Sequence, residues 1–178
     1  LAGREHAIDV GLANGKPYNQ MATEMIAATG TNNITQDQQG AMNFLLLHWN
    51  TGGPTQDVYD MQASGVAQAF LGMSHMNCVL CHNGRGHLDG LSLWGQQATR
   101  YQAWQFSSFL SHTNYPGTRS PVDPNSPNAR RVTWWAFTNG STDYALNTTI
   151  GNRPARQPLP GGVKNVAPTY IDGVSSPS

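Results

Sequence analysis

Both cysteines of this 178-residue chain fall in one short stretch, Cys78-Val79-Leu80-Cys81-His82, and this stretch constrains the fold more than any other feature. With no further cysteine there is no disulfide framework, so the chain must build an ordinary core around the motif, and its length suffices for one. C-x-x-C-H is the pattern of c-type haem attachment. Two thiols one helical turn apart can add to the two vinyl groups along one haem edge, and the next residue then directs its imidazole at the iron. His82 is therefore the expected proximal ligand, with an acceptor fixing its other ring nitrogen.

Other chemistries compete for the same residues. A zinc site needs four ligands, and Cys78, Cys81, His87 and His75 or His112 would have to supply them without the usual spacing of paired knuckles. A redox dithiol normally opens a helix after a strand in a βαβ unit, which this helical neighbourhood does not resemble. Two plain buried thiols are the remaining alternative. The spacing and the histidine directly behind it favour one covalently attached haem c.

The far side of the iron is less determined. The six methionines, at positions 21, 25, 42, 61, 73 and 76, all precede Cys78, which excludes a methionine cap well downstream of the motif. Met73 and Met76 are too close in sequence to cross the porphyrin, and His87 starts on the proximal side. His48, at the end of the Leu45-Leu46-Leu47 run, His112, after the helix that follows the motif, and Met61, on a ridge of small residues, remain as distal candidates, His48 first. Arg85 follows the motif closely enough to pair a haem propionate.

Composition narrows the partners. Only 11% of residues are charged, with ten basic and ten acidic side chains cancelling, against roughly 25% in an average soluble protein. Lys16 and Lys164 are the only lysines. No basic field exists to hold nucleic acid or an anionic membrane surface, and no apolar run approaches the ~18 residues of a membrane span. Asn, Gln, Ser, Thr and Gly carry the polarity instead, a balance that suits an exported protein.

The periodicity predicts a mainly α fold: a helical c-type haem domain with a small β-hairpin and an irregular Pro-rich C-terminal segment. A helix is expected from Asn19, with Met21, Met25 and Ile26 on one face and Gly30 as its stop. A second carries Met42, Leu45 and Leu46. A third is capped by Thr55 and ends at Gly72, with Val58, Met61, Gly65 and Ala69 along one ridge. A fourth spans about Gly95 to Ser111. Residues 1–115 thus form the helical part. Residues 116–178 hold a proline-rich connector, two β-rich runs around Asn139-Gly140, which is a type I′ turn signal, and an extended wrap of the same domain.

"KPYNQMATEMIAATG", "DVYDMQASGVAQAFLGMSHMNCVLCHNG" and "YQAWQFSSFLS" together resemble the cytochrome-type domain of unknown function found in large secreted proteins of planctomycetes and related bacteria. The resemblance runs from Arg4 to Ser111, and "GNRPARQPLPGGVKNVAPTYIDG" is similar to the stretch that closes such domains. The family commonly continues CH-[DN]-H-[KP]-F-D, whereas this chain has "CHNGRGHLDG", with extra residues before His87. The resemblance implies haem c, an exported location in the periplasm or outside the cell, and membership of a longer polypeptide. The expected function is electron transfer by a single haem c, with other redox proteins or haem domains as partners and assembly with other cytochromes. The alternatives are a haem enzyme or gas sensor with an open distal face, or the haem module of a larger secreted degradative or surface-binding protein.

Overall fold

The computed structural model describes residues 2–31, 40–48, 53–114, 117–123, 126–149, 151, 153–156 and 162–175. Its elements run α1 (Ala2–Ala13), α2 (Tyr18–Ile26), β1 (Gly30–Thr31), a 3₁₀ turn (Gly40–Met42), α3 (Asn43–Leu47), α4 (Thr55–Leu71), α5 (Met76–Val79), α6 (Arg100–Ser107) with a 3₁₀ extension (Ser108–Leu110), then β2 (Thr113–Asn114), β3 (Gly117–Asp123), β4 (Ser126–Asn139), β5 (Tyr144–Ala145) and β6 (Asn165–Val166). The protein is mainly helical with small antiparallel hairpins. Among the described residues, no helix is long and apolar enough to cross a membrane.

The chain divides into two compact units, and each draws on both halves of the sequence. Unit 1 is Leu1–Leu47 with Thr113–Gly140, and unit 2 is His48–His112 with Ser141–Ser178.

In unit 1 the apolar positions of α2 and α3 fall inside as their spacing predicts: Met21, Met25, Met42, Phe44 and Leu45 are buried. Gly11 lets α1 approach α2, because a Cβ there would lie 2.8 Å from Met21 Sδ. Helix α2 stops earlier than expected, at Ala27, and Gly30 begins β1. The sheet is organised around the long strand β4. β1 pairs with it at Ala136 and Phe137, β3 pairs with it upstream, and β2 meets its end at Thr138 and Asn139, all antiparallel. The pairs Thr113↔Asn139, Asn114↔Thr138, Gly117↔Trp135 and Thr118↔Trp134 share one register, so β2 and β3 lie in line along β4.

This pairing corrects the hairpin expected around Asn139-Gly140. The partner of "RRVTWWAFT" lies upstream, in "GTRSPVD", and the second β-rich run contributes β5, which pairs with β6 in unit 2. A type I′ turn requires positive φ at both central residues, and neither Asn139 nor Gly140 has it. Pro121 is accommodated in β3 beside a break in register between Pro121 and Asp123, where a missing N–H costs least.

In unit 2, α4 is the central element. Asp57, Val58, Tyr59, Asp60, Gln62, Ala63, Gly65, Val66 and Ala67 are all buried along it, and α5 and α6 pack against it. Gly72 ends it in the left-handed conformation at φ 66° and ψ 19°, as expected of a C′ glycine. Its start differs from the expectation: Pro54 occupies the N-cap and Thr55 is the first helical residue, with no side-chain cap. Helix α6 begins only at Arg100, because Thr99 and Gln102 form a reciprocal capping box there.

Candidate haem-attachment site

The motif sits on a single turn whose inner face is apolar. Met76, Val79 and Leu80 have no solvent exposure, while Cys78 is exposed and Cys81 and His82 are half-exposed. Burying three apolar side chains of this turn contributes roughly 1.5–3 kcal/mol each, and it fixes which side of the turn faces out. The backbone amides of Cys81 and His82 both donate to the Cys78 carbonyl, at 3.0 and 3.2 Å. The helical turn therefore closes at the histidine, and both thiols stand free on it rather than joined in a disulfide. His82 Nδ1 lies 2.9 Å from the Asn83 carbonyl oxygen, the kind of acceptor that leaves Nε2 as the ligating nitrogen. Two free thiols and an imidazole with one nitrogen engaged are the donor set haem c requires.

The loop that follows is compact. The Gly84 amide donates to the Ala98 carbonyl at 2.9 Å, and the Gly84 carbonyl accepts from His87 and Leu88 at 3.0 and 2.8 Å. A Cβ on Gly84 would collide with the Gly95 carbonyl, and Leu88 is buried beneath the loop. This turn brings the His87 ring onto that of His82, with centroids 4.3 Å apart and planes tilted by 44°. The residues inserted before His87 thus return it to the side of His82. Arg85 is exposed and, with Asn83, Asp89, Gln96, Gln97 and Thr99, lines an open polar depression beside the motif.

The distal candidates are placed unequally. The half-buried His48 lays its imidazole against Gly65 of α4 so closely that any Cβ there would clash with the ring. The ridge of small residues thus receives a histidine. Met61, one turn before Gly65 on the same stripe, has its Sδ 3.5 Å from an Arg153 nitrogen. His112 is exposed beyond the 3₁₀ extension of α6. Among the described residues no three His, Cys, Asp or Glu side chains are gathered to hold a metal ion, so the tetrahedral set of Cys78, Cys81, His87 and His75 or His112 is not assembled.

Sequence reasoning missed a buried charge network behind the motif. Arg156 donates to Asp57 Oδ1 at 2.7 Å, Asp60 Oδ2 at 2.6 Å, the Tyr144 hydroxyl at 2.8 Å and Thr148 Oγ1 at 2.9 Å. The Tyr144 hydroxyl donates to Asp60 Oδ1 at 2.8 Å, and Arg153 Nε lies 3.3 Å from Asp60 Oδ2. Burial pushes the Asp60 carboxyl up, and the two guanidiniums and the tyrosine pull it back. Burial also works against the Arg156 charge, but Asp60, Tyr144 and Asp57 hold the guanidinium above its ordinary range. The Tyr144 hydroxyl is pushed well up, by burial first and by Asp60 second.

Arg100 completes the framework from α6. It donates to the Leu80 carbonyl at 2.9 Å, to Ala155 at 3.0 Å and to Pro154, and its guanidinium lies 4.6 Å from the centre of the Trp104 ring. The segment 153–156 is thereby tied to the motif at Leu80 and, through Arg156, to α4. The sequence offered one signal: in a chain so poor in charge, Asp57 and Asp60 one turn apart on a helix otherwise buried need cationic partners.

Residues 7–89 match the model of a family described as PSCyt2, protein of unknown function (DUF1549). No curated protein and no solved structure matches the chain. The match takes in α4, the C-x-x-C-H turn and His87, and it agrees with the resemblance to a cytochrome-type domain whose function is unassigned. Arg100, Tyr144, Arg153 and Arg156 lie outside it.

Proposed function

We propose that unit 2 is an exported mono-haem c electron-transfer module. Cys78 and Cys81 attach the haem, His82 is its proximal ligand and His48 is the distal one. The observation that carries this reading is the motif turn itself, anchored by Met76, Val79 and Leu80 while Cys78, Cys81 and His82 face outward. When bound, haem supplies reversible one-electron iron chemistry. The chain's own residues hold it: the Asn83 carbonyl orients His82 through Nδ1, and the stripe of α4 at Gly65 seats His48. Arg85, beside the polar depression, suits a propionate. The low charge content of the chain, 11% of residues, suits docking to other redox proteins across a weakly charged face, assembly with other cytochromes included.

The reading is tested on chain produced in a host that matures c-type cytochromes. Intact mass should increase by one haem, and Cys78→Ala/Cys81→Ala should abolish the increase. The wild-type ferric spectrum should be low-spin. His48→Ala should make it high-spin and admit carbon monoxide to the ferrous form, whereas His112→Ala should change neither. A low-spin His48→Ala variant would remove His48 from the iron. A wild-type ferrous form that binds carbon monoxide readily would favour the open-site alternative, a sensor or enzyme.

A further inference from the structure

The arginines described in unit 2 have distinct roles. Arg100 gives its guanidinium to three main-chain carbonyls, and Arg156 is held by the acidic pair of α4 together with Tyr144 and Thr148. Arg85 is exposed. Arg153 alone bridges the acidic pair to the motif. From Asp60 it reaches Asn77, whose side-chain oxygen accepts from Nη2 at 2.8 Å, and Nη1 lies 3.4 Å from both the Asn77 carbonyl and Cys81 Sγ. The side chain is only 6% exposed.

Sulfur is a weak acceptor, so the contact with Cys81 does not hold Arg153. The carboxylate of Asp60 and the amide of Asn77 hold it, and they impose a rigid, permanently charged fork on the inner thiol. Cys78, by contrast, is exposed. The two cysteines of the motif are thus electrostatically unequal.

We propose that Arg153 is a positioning residue that fixes a positive charge beside the Cys81 edge of the bound haem and thereby raises its reduction potential. This rests on the haem c reading above. A buried cation close to the macrocycle disfavours the ferric state, which carries one more positive charge than the ferrous, and the effect is strong where water is excluded. Asp60 opposes the cation from the far side, but Arg156 shares that carboxylate.

The experiment uses the full chain matured with haem and measures midpoint potential by spectroelectrochemistry, with haem content read by intact mass. Arg153→Gln should lower the potential by about tenfold in the electron-exchange equilibrium, ~59 mV for a one-electron couple. Arg153→Lys, which keeps the charge, should return it close to wild type. Asn77→Asp, an exposed change that neutralises the fork without opening the core, should also lower it, and decides the matter if Arg153→Gln does not fold. An unchanged potential in Arg153→Gln, or in Asn77→Asp where that variant must decide, would overturn the proposal. So would an Arg153→Lys shift as large as that of Arg153→Gln, since a purely structural role would not distinguish the two. Wild-type chain without covalent haem would instead defeat the reading on which the inference rests, and intact mass separates the two failures.

Discussion

Unit 1 and unit 2 solve the problem of a core in opposite ways. Unit 1 fills its interior with methionines and apolar side chains, and its one described ion pair, Lys16 to Glu24 at 2.7 Å, is on the surface. Unit 2 places two aspartates and two arginines inside, with Tyr144 and Thr148 closing their hydrogen bonds. A buried network is weak evidence for stability, because hydrophobic replacements of the same shape often do as well. What it supplies here is position. It ties the C-terminal segment to α4 and, through Arg153, to the turn that bears the cysteines. Charge is buried in the unit that holds the C-x-x-C-H turn.

The two cores should differ most in their response at Arg156. Arg156→Met leaves two carboxylates buried with one partner fewer, and chemical denaturation should register a loss of roughly 3–5 kcal/mol. Replacing Asp57, Asp60, Arg153 and Arg156 together with apolar residues, and Tyr144 with Phe, should recover most of that loss, which would show the network to be positional rather than stabilising. Next in size is Gly84→Ala, where the new methyl meets the Gly95 carbonyl and the loop after the motif must shift, at a cost of roughly 3 kcal/mol. Two-dimensional NMR should place its changes at His82 and His87.

In unit 1, Met25→Ala should cost about 2 kcal/mol, the low end for a methionine whose void the neighbouring flexible methionines can partly fill. Lys16→Met should leave the melting temperature unchanged within error. The Lys16 hydrogen bond holds the Glu24 carboxyl below its ordinary range, so any contribution is present above the unfolded pKa and is lost as pH falls through the folded one. Solvent screening of this surface pair keeps it too small to detect.

The parts of this fold that were legible in the sequence are those decided locally. Gly72 stops α4 because only glycine enters the left-handed region without strain, and the alternation of buried and outward residues around Cys78 follows from one turn of helix. The failures lie where a distant partner overrides local preference. Asn139-Gly140 has the composition of a hairpin turn, yet β4 finds its partner upstream, in a proline-bearing segment that reads as a connector. Thr55 has the chemistry of a cap and is displaced by one residue because Pro54 precedes it. The candidate site was legible in the same measure. Cys78, Cys81 and His82 announce themselves by spacing, and the ridge around Gly65 signalled a close approach without naming His48. Arg153 and Arg156 carry no local signal, since their partners on α4 are more than 90 residues away.

Everything proposed for unit 2 requires that the motif turn carry haem through its two thiols. A pyridine haemochrome spectrum of the purified chain, after acid-acetone extraction of any loose haem, reports this directly. Attachment through Cys78 and Cys81 predicts a reduced spectrum of the type given by haem saturated at both vinyl positions, retained by the chain through extraction. Haem lost to the solvent, or a spectrum of the type given by haem with both vinyl groups intact, would contradict it.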